Sequence, residues 1–227
     1  MKTTTTPEAA QRFLYGYWRS SASYRVRIAL NLKGLDYQHR GVNLLNNEQR
    51  NPNFLAKNPQ GLIPLYTEER QGQHINIAQS LAIIEYLDET YPQVALLPPD
   101  TVAKAKIRAA AQIIACEIHP LDNLRVLQYL QQTLGVDEDN KMAWYRHWII
   151  TGFTALEAQL ADLLEGKPFS LGERPGYLEA LIVPQIYNAK RFNCPLGDFP
   201  RLVALDAACQ RLPAFINAAP ENQPDAQ

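Results

Sequence analysis

The chain has 227 residues, with 22 Lys and Arg against 23 Asp and Glu, a formal net charge of −1, and 46% hydrophobic residues. That balance gives no electrostatic argument for nucleic acid or an anionic membrane as partner, and no apolar run approaches the roughly 20 residues of a membrane span. The length is enough for one large domain or two small ones with an ample core.

Residues 1–10 are polar, lack the apolar core of a secretory signal, and read as a flexible arm with a low-complexity run from Thr3 to Thr6. Phe13-Leu14-Tyr15-Gly16-Tyr17-Trp18 predicts an aromatic-rich strand. Ala22, Val26, Ala29, Leu30 and Lys33 then recur at helical spacing up to Gly34, with Ser20 and Ser21, residues of the preferred N-cap type, before them. A helix start presents unpaired N–H groups and the positive dipole end, which suits an anion, a thiolate included. The plainer reading is a capped amphipathic helix that binds nothing. Residues 37–43 alternate like a second strand, and 44–58 read as a loop with a short helix. Residues 62–66 and 74–77 predict two short strands around a turn at Gln71-Gly72, and a helix from Ser80 stops at Tyr91-Pro92. This order predicts a thioredoxin-like α/β domain over 11–94.

Residues 95–100, with Pro98-Pro99, read as a linker, and 101–227 as an all-α helical bundle. One helical pattern runs through Ile107, Ala110, Ile114 and Ile118, breaks at Pro120 and resumes to Leu134-Gly135. Others cover 140–164, 176–191 and 200–211; Pro184 either kinks the one over 176–191 or splits it. Cys116, Cys194 and Cys209 lack metal-ligand spacing and are expected as reduced thiols of a cytoplasmic protein; no metal site is expected.

Ser20-Ser21-Ala22-Ser23-Tyr24-Arg25-Val26-Arg27-Ile28-Ala29-Leu30 resembles the Ser-Ser-Cys-x-Trp-Arg-Val-x-Ile-Ala-Leu signature of zeta-class glutathione transferases, which include maleylacetoacetate and maleylpyruvate isomerases. Ala22 stands where Cys is usual and Tyr24 where Trp is usual. The likeness continues through Asn58-Pro59-Gln60-Gly61-Leu62-Ile63-Pro64, Gln79-Ser80-Leu81-Ala82-Ile83-Ile84-Glu85-Tyr86-Leu87 and Val183-Pro184-Gln185.

The resemblance implies the glutathione-transferase fold, with glutathione as cofactor, and assigns residues to it. Ser20 and Ser21 are the catalytic pair, Ser20 contacting the thiolate and Ser21 serving as second donor or as cap. Sequence alone favours a trans Ile63-Pro64 bond, and the resemblance implies cis, with the Ile63 backbone pairing with glutathione. Gln79-Ser80, otherwise a simple cap, is implied to hold the γ-glutamyl carboxylate, and Gln49 the opposite end of the tripeptide. His119 and Asn123, four apart and on one helical face if Pro120 opens a new helical segment, are implied glutathione contacts, and a solvated helix end is the plainer reading. Arg19, Arg125 and Arg191 are implied to converge on an anionic cis-enoic acid substrate, whose carboxylates guanidinium groups match. Gly176 and Glu179 replace the family's usual capping pair, so side-chain capping there is expected to be weak.

The leading reading is a glutathione-dependent cis–trans isomerase of maleylacetoacetate or maleylpyruvate in aromatic-acid degradation, working as a homodimer. The alternatives are a glutathione transferase that conjugates small electrophiles and a non-catalytic interaction module of the same fold.

Overall fold

The computed structural model describes residues 10–70 and 72–227; the arm expected over 1–10, Ala10 apart, and Gln71 of the expected turn lie outside them. Two compact units divide the chain. One takes the sequence up to Val94 together with Ile216–Gln227, and the other is Ala95–Phe215. A helical domain running from 101 to 227 is thereby corrected. The segment from Ile216 belongs with the first unit because Arg27 Nε donates to the Ala218 carbonyl at 2.9 Å and the Trp18 N–H donates to Asp225 Oδ2 at 3.1 Å.

The first unit holds a four-stranded sheet in the order β2-β1-β3-β4. Strand β1 (Gln11–Gly16) runs parallel to β2 (Gln38–Gly41), with Phe13 opposite Gln38, and antiparallel to β3 (Leu65–Arg70), with Tyr15 opposite Leu65. Strand β4 (Gln73–Ala78) closes the other edge against β3. β1 stops at Gly16, so Tyr17 and Trp18, expected as strand, enter a turn closed by Ser20 N–H to Tyr17 C=O at 2.9 Å. β3 begins after Pro64 rather than at residue 62 and carries Glu68-Glu69-Arg70, charged residues that mask a strand. Glu68 is buried all the same, accepting from the Tyr86 hydroxyl at 2.7 Å and from the Tyr91 hydroxyl, with Arg12 Nε at 3.6 Å.

Helix α1 (Ser21–Leu32) is buried over most of its surface, Arg25 and Arg27 included, and is not the half-exposed helix that its spacing alone describes. It packs against β1 and α3 (Ser80–Thr90), and the same unit buries Leu14, Tyr66, Ile83, Ile84 and Leu87. Each such aliphatic side chain contributes about 1.5–3 kcal/mol by leaving water. Gly16 lets the strand end this close to α1: a Cβ there would stand 2.8 Å from Ser23 Oγ. Between β2 and β3 lie a 3₁₀ turn, Glu48–Arg50, and a short helix α2 (Pro52–Leu55).

The second unit is helical. α4 (Thr101–Gln112) continues as wide turns over Ile113–Ile118, ending with His119 N–H on the Ile114 carbonyl, five residues back, at 2.9 Å. α5 (Leu124–Gln132), α6 (Glu138–Leu164), α7 (Tyr177–Arg191) and α8 (Pro200–Cys209) follow. α7 runs unbroken through Pro184, which decides against a split, and burial along most of its length supplies the packing that holds it. Gly176 offers no side chain to its first turn, yet the Glu179 carboxylate accepts from Gly176 N–H at 2.8 Å, Ser170 N–H at 2.7 Å and Ser170 Oγ at 2.8 Å. The capping expected to be weak is replaced by this buried carboxylate. At α8, Phe199 occupies the N-cap without a side-chain acceptor, and Glu157 of α6 accepts from the N–H groups of Arg201 (2.9 Å) and Leu202 (3.0 Å).

Candidate active site

Ser20 is the N-cap of α1, its Oγ accepting from the Ser23 N–H at 3.2 Å. Capping uses an oxygen lone pair and leaves the O–H to donate elsewhere. The cap role left open for Ser21 therefore falls to Ser20, while Ser21 opens the helix and is buried. Arg19, just before it, lies 4.4 Å over the Trp18 ring with Nη2 3.5 Å from the Tyr17 hydroxyl.

The start of α3 is a second such point. Gln79 holds φ 71° and ψ 115°, a conformation that costs a non-glycine residue of order 1–3 kcal/mol and clusters at functional sites. Its Nε2 donates to Gln60 Oε1 at 2.8 Å, which ties α3 to the loop before Pro64. Ser80 is buried, and its Oγ accepts from Arg25 Nη1 at 3.3 Å. Arg25 thus links α1 to the first residue of α3. Neither Gln60 nor Arg25 was singled out from sequence. An arginine among the apolar positions of an apparently amphipathic helix was the available signal.

The Ile63-Pro64 bond is cis, and the β3 ladder starts beyond it at Leu65. Asn58 steadies the preceding loop, donating from Nδ2 to the Leu62 carbonyl at 2.7 Å. Gly61 has φ +61°, and a Cβ there would lie 2.9 Å from Arg50 Nη1 and 3.1 Å from the Gln49 carbonyl. Gln49 consequently stands beside this loop. Its Nε2 donates to Asn47 Oδ1 at 3.4 Å, and its buried Oε1 has no hydrogen-bond partner among the described residues.

The remaining expected residues are in the second unit. His119 ends the wide turns, and Asn123 is the N-cap of α5, its Oδ1 accepting from the Arg125 N–H at 3.2 Å. The shared helical face expected for His119 and Asn123 is corrected: a non-helical turn separates them, because Asn123 takes the extended conformation of a cap. Arg125 is exposed in the first turn of α5. Arg191 is exposed in the last turn of α7, where a cation complements the helix dipole, 4.9 Å over the Phe192 ring.

Sequence reading passed over Asp122. It is buried, neither carboxylate oxygen has a hydrogen-bond partner among the described residues, and burial pushes its pKa up to about 8. Its charge bears on the Tyr145 hydroxyl and the Cys194 thiol, both themselves pushed up chiefly by burial, the thiol to about 11. Among the described residues, no His, Cys, Asp and Glu cluster is placed to hold a metal, and no helix is long and apolar enough to cross a membrane.

Two helix N-termini joined through a buried arginine, beside a cis-proline loop on a mixed four-stranded sheet, define a glutathione-transferase type of protein. The family model "Glutathione S-transferase, N-terminal domain" matches residues 14–95. The chain is 47% identical over 215 residues to a probable maleylacetoacetate isomerase of Vibrio cholerae, covering 94% of this chain and 97% of that one. It is 46% identical over 213 residues to a maleylpyruvate isomerase of a Ralstonia species, covering 93% and 98%. A crystal structure of maleylacetoacetate isomerase from Anaeromyxobacter dehalogenans with bound glutathione superposes with a TM-score of 0.87 at 39% identity, covering 97% of this chain and 100% of that one. The chain belongs to the zeta-class glutathione transferases, the family of the maleylacetoacetate and maleylpyruvate isomerases.

Proposed function

We propose that this protein is a glutathione-dependent cis–trans isomerase of maleylacetoacetate or maleylpyruvate, acting as a cytoplasmic homodimer. The observation that carries the reading is the Arg25–Ser80 hydrogen bond, which ties α1 to the start of α3 within the unit that holds both the Ser20 hydroxyl and the Gln79-Ser80 pair. The names of the relatives and the glutathione in the Anaeromyxobacter structure support the same chemistry. The three free cysteines suit a reducing compartment.

Glutathione fits the residues present. Gln79 and Ser80 offer a strained backbone and a hydroxyl at a helix start for a carboxylate, and the buried Gln49 Oε1 lacks a donor that an amide of the tripeptide supplies. The Ile63 backbone, outside the β3 ladder, is available for extended pairing. When bound, glutathione supplies a thiolate that adds reversibly to the cis double bond and turns it into a rotatable single bond. Ser20 holds the charge on that sulfur. A free thiol has a pKa of about 8.5, and lowering it by about two units takes about 3 kcal/mol. A helix start alone contributes ~0.3–1 kcal/mol, whereas a hydroxyl donating to a charged acceptor adds roughly 1.5–3 kcal/mol. The Ser20 O–H, left over from capping, is therefore the larger contribution. His119 and Asn123 serve glutathione as hydrogen-bonding groups, and Arg19, Arg125 and Arg191 pair with the substrate carboxylates.

The test measures isomerisation of maleylacetoacetate and of maleylpyruvate with and without glutathione, beside conjugation of a generic electrophile. Glutathione-dependent isomerisation without glutathione consumption is expected. Conjugation alone would replace this reading with that of a conventional transferase.

A further inference from the structure

The turn that carries Arg19 and Ser20 is held from the far end of the sequence. The Trp18 N–H donates to Asp225 Oδ2 at 3.1 Å. The Trp18 carbonyl accepts from Arg27 Nη2 at 2.9 Å, and the same guanidinium donates through Nε to the Ala218 carbonyl at 2.9 Å. Both polar groups of one peptide residue, two positions before Ser20, are thus tied to the segment Ile216–Gln227, one directly and one through Arg27. Arg27 is fully buried, and so are Ala218 and most of Trp18.

The segment is built to do this. Gln223 Nε2 donates to the carbonyls of Asn217 and Ala219, each at 2.9 Å, and Asn222 Nδ2 to that of Ile216 at 2.7 Å, so the segment is braced internally. Asp225 is seated in turn. Its Oδ1 lies 2.8 Å from His39 Nε2, and its Cβ would be 3.2 Å from a Cβ on Gly41, an approach that glycine permits. A carboxylate that accepts a backbone N–H through one oxygen, with an imidazole nitrogen 2.8 Å from the other, is held directionally.

We propose that Asp225 is a positioning residue for the thiol site: by holding the Trp18 N–H it sets the turn from which the Ser20 hydroxyl and the Arg19 guanidinium project. Asp225 acts through Trp18 and touches neither cofactor nor substrate. The proposal rests on the reading of Ser20 as the group that meets the glutathione thiolate. A displaced hydroxyl weakens that donation, whereas Gln79, Ser80 and Ile63, which hold the tripeptide, are not on the clamped turn.

The experiment compares Asp225→Ala with Asp225→Asn in the full chain, the latter keeping an oxygen that accepts from the Trp18 N–H. The thiolate absorbance of bound glutathione is titrated, and kcat and KM are measured. Asp225→Ala is expected to raise the bound thiol pKa by about half to one unit, a thiolate fraction roughly three to ten times lower below the pKa. kcat at neutral pH falls accordingly, KM for glutathione changes less than about twofold on the same logic, and Asp225→Asn restores most of the loss. If Asp225→Ala does not fold, His39→Gln, which removes the imidazole that seats Asp225, is expected to give a smaller rise of the same sign. A bound thiol pKa unchanged in the folded variants overturns the proposal, as does an Asp225→Asn variant as impaired as Asp225→Ala. The absorbance titration needs no turnover, so a wild type that binds glutathione without isomerising either substrate would overturn the function and leave this test standing.

Discussion

Arg25 Nη1 donates to Ser80 Oγ at 3.3 Å, across 55 residues of sequence, and both residues are buried. Removing the hydroxyl withdraws both the acceptor that Arg25 uses and a donor at the start of α3. A hydrogen bond to a charged group contributes about 1.5–3 kcal/mol. Ser80→Ala is therefore expected to weaken glutathione binding by roughly tenfold to a hundredfold, as read by titration calorimetry, with a smaller change in kcat at saturation.

The cap role of Ser20 and the thiolate-donor role proposed for it separate experimentally. As the N-cap of α1 it satisfies the Ser23 N–H, and Ser20→Ala is expected to cost about 0.5–2 kcal/mol of stability in denaturant unfolding. As donor to the thiolate, its loss raises the pKa of bound glutathione and lowers turnover at neutral pH. A variant destabilised as expected but with unchanged thiolate absorbance and rate would leave Ser20 as a cap only.

Asp122 predicts a stability that declines toward alkaline pH. Its folded pKa, raised to about 8 by burial, lies above the unfolded value of about 3.9, so the native state binds the extra proton between them. The contribution is intact below about pH 4 and falls by up to about 1.4 kcal/mol per unit until about pH 8. Asp122→Asn should flatten the profile in that window and stabilise the protein most at its upper end, in thermal unfolding measured unit by unit.

His39 gives a slope of opposite sign. Burial lowers its pKa, the nearby Arg27 charge lowers it further, and Asp225 opposes both. The unfolded state then binds more protons just below about 6.5, so this contribution is whole above that pH and is lost as the pH falls through the folded pKa. His39→Gln is expected to reduce the loss of stability on the acid side while changing the alkaline side little.

The helix starts that carry candidate residues were legible in sequence because their signals are local. Ser20-Ser21 before a helical pattern and Gln79-Ser80 at a second helix start each carry their meaning within one turn of chain. Ile63-Pro64 was legible only through resemblance, since composition favoured the trans bond. What sequence did not show are the pairings made at long range. Trp18 and Asp225 are 207 residues apart, and nothing near either names the other. Arg25 and Arg27 lie within the signature stretch, yet their spacing does not show that α1 is buried around nearly its whole girth with its arginines working inside. Asp122 was passed over, because nothing beside it in the sequence marks a carboxylate that is buried without a hydrogen-bond partner among the described residues. The departures in β3 have the same origin, for Glu68 is a core residue only once Tyr86 and Tyr91 arrive to hold it.

The arrangement at α8 has a consequence for how the helical unit forms. The acceptor that begins this helix, Glu157, is a residue of α6, 44 positions earlier than Arg201. A peptide spanning residues 198–210 lacks the Glu157 acceptor and is too short to be stably helical alone. α8 gains its start only where α6 is packed against it, which couples the stability of the two helices. It also couples the two in descent: a homologous exchange that replaced α6 without α8 would deliver a helix whose starting signal had been left behind in the other parent.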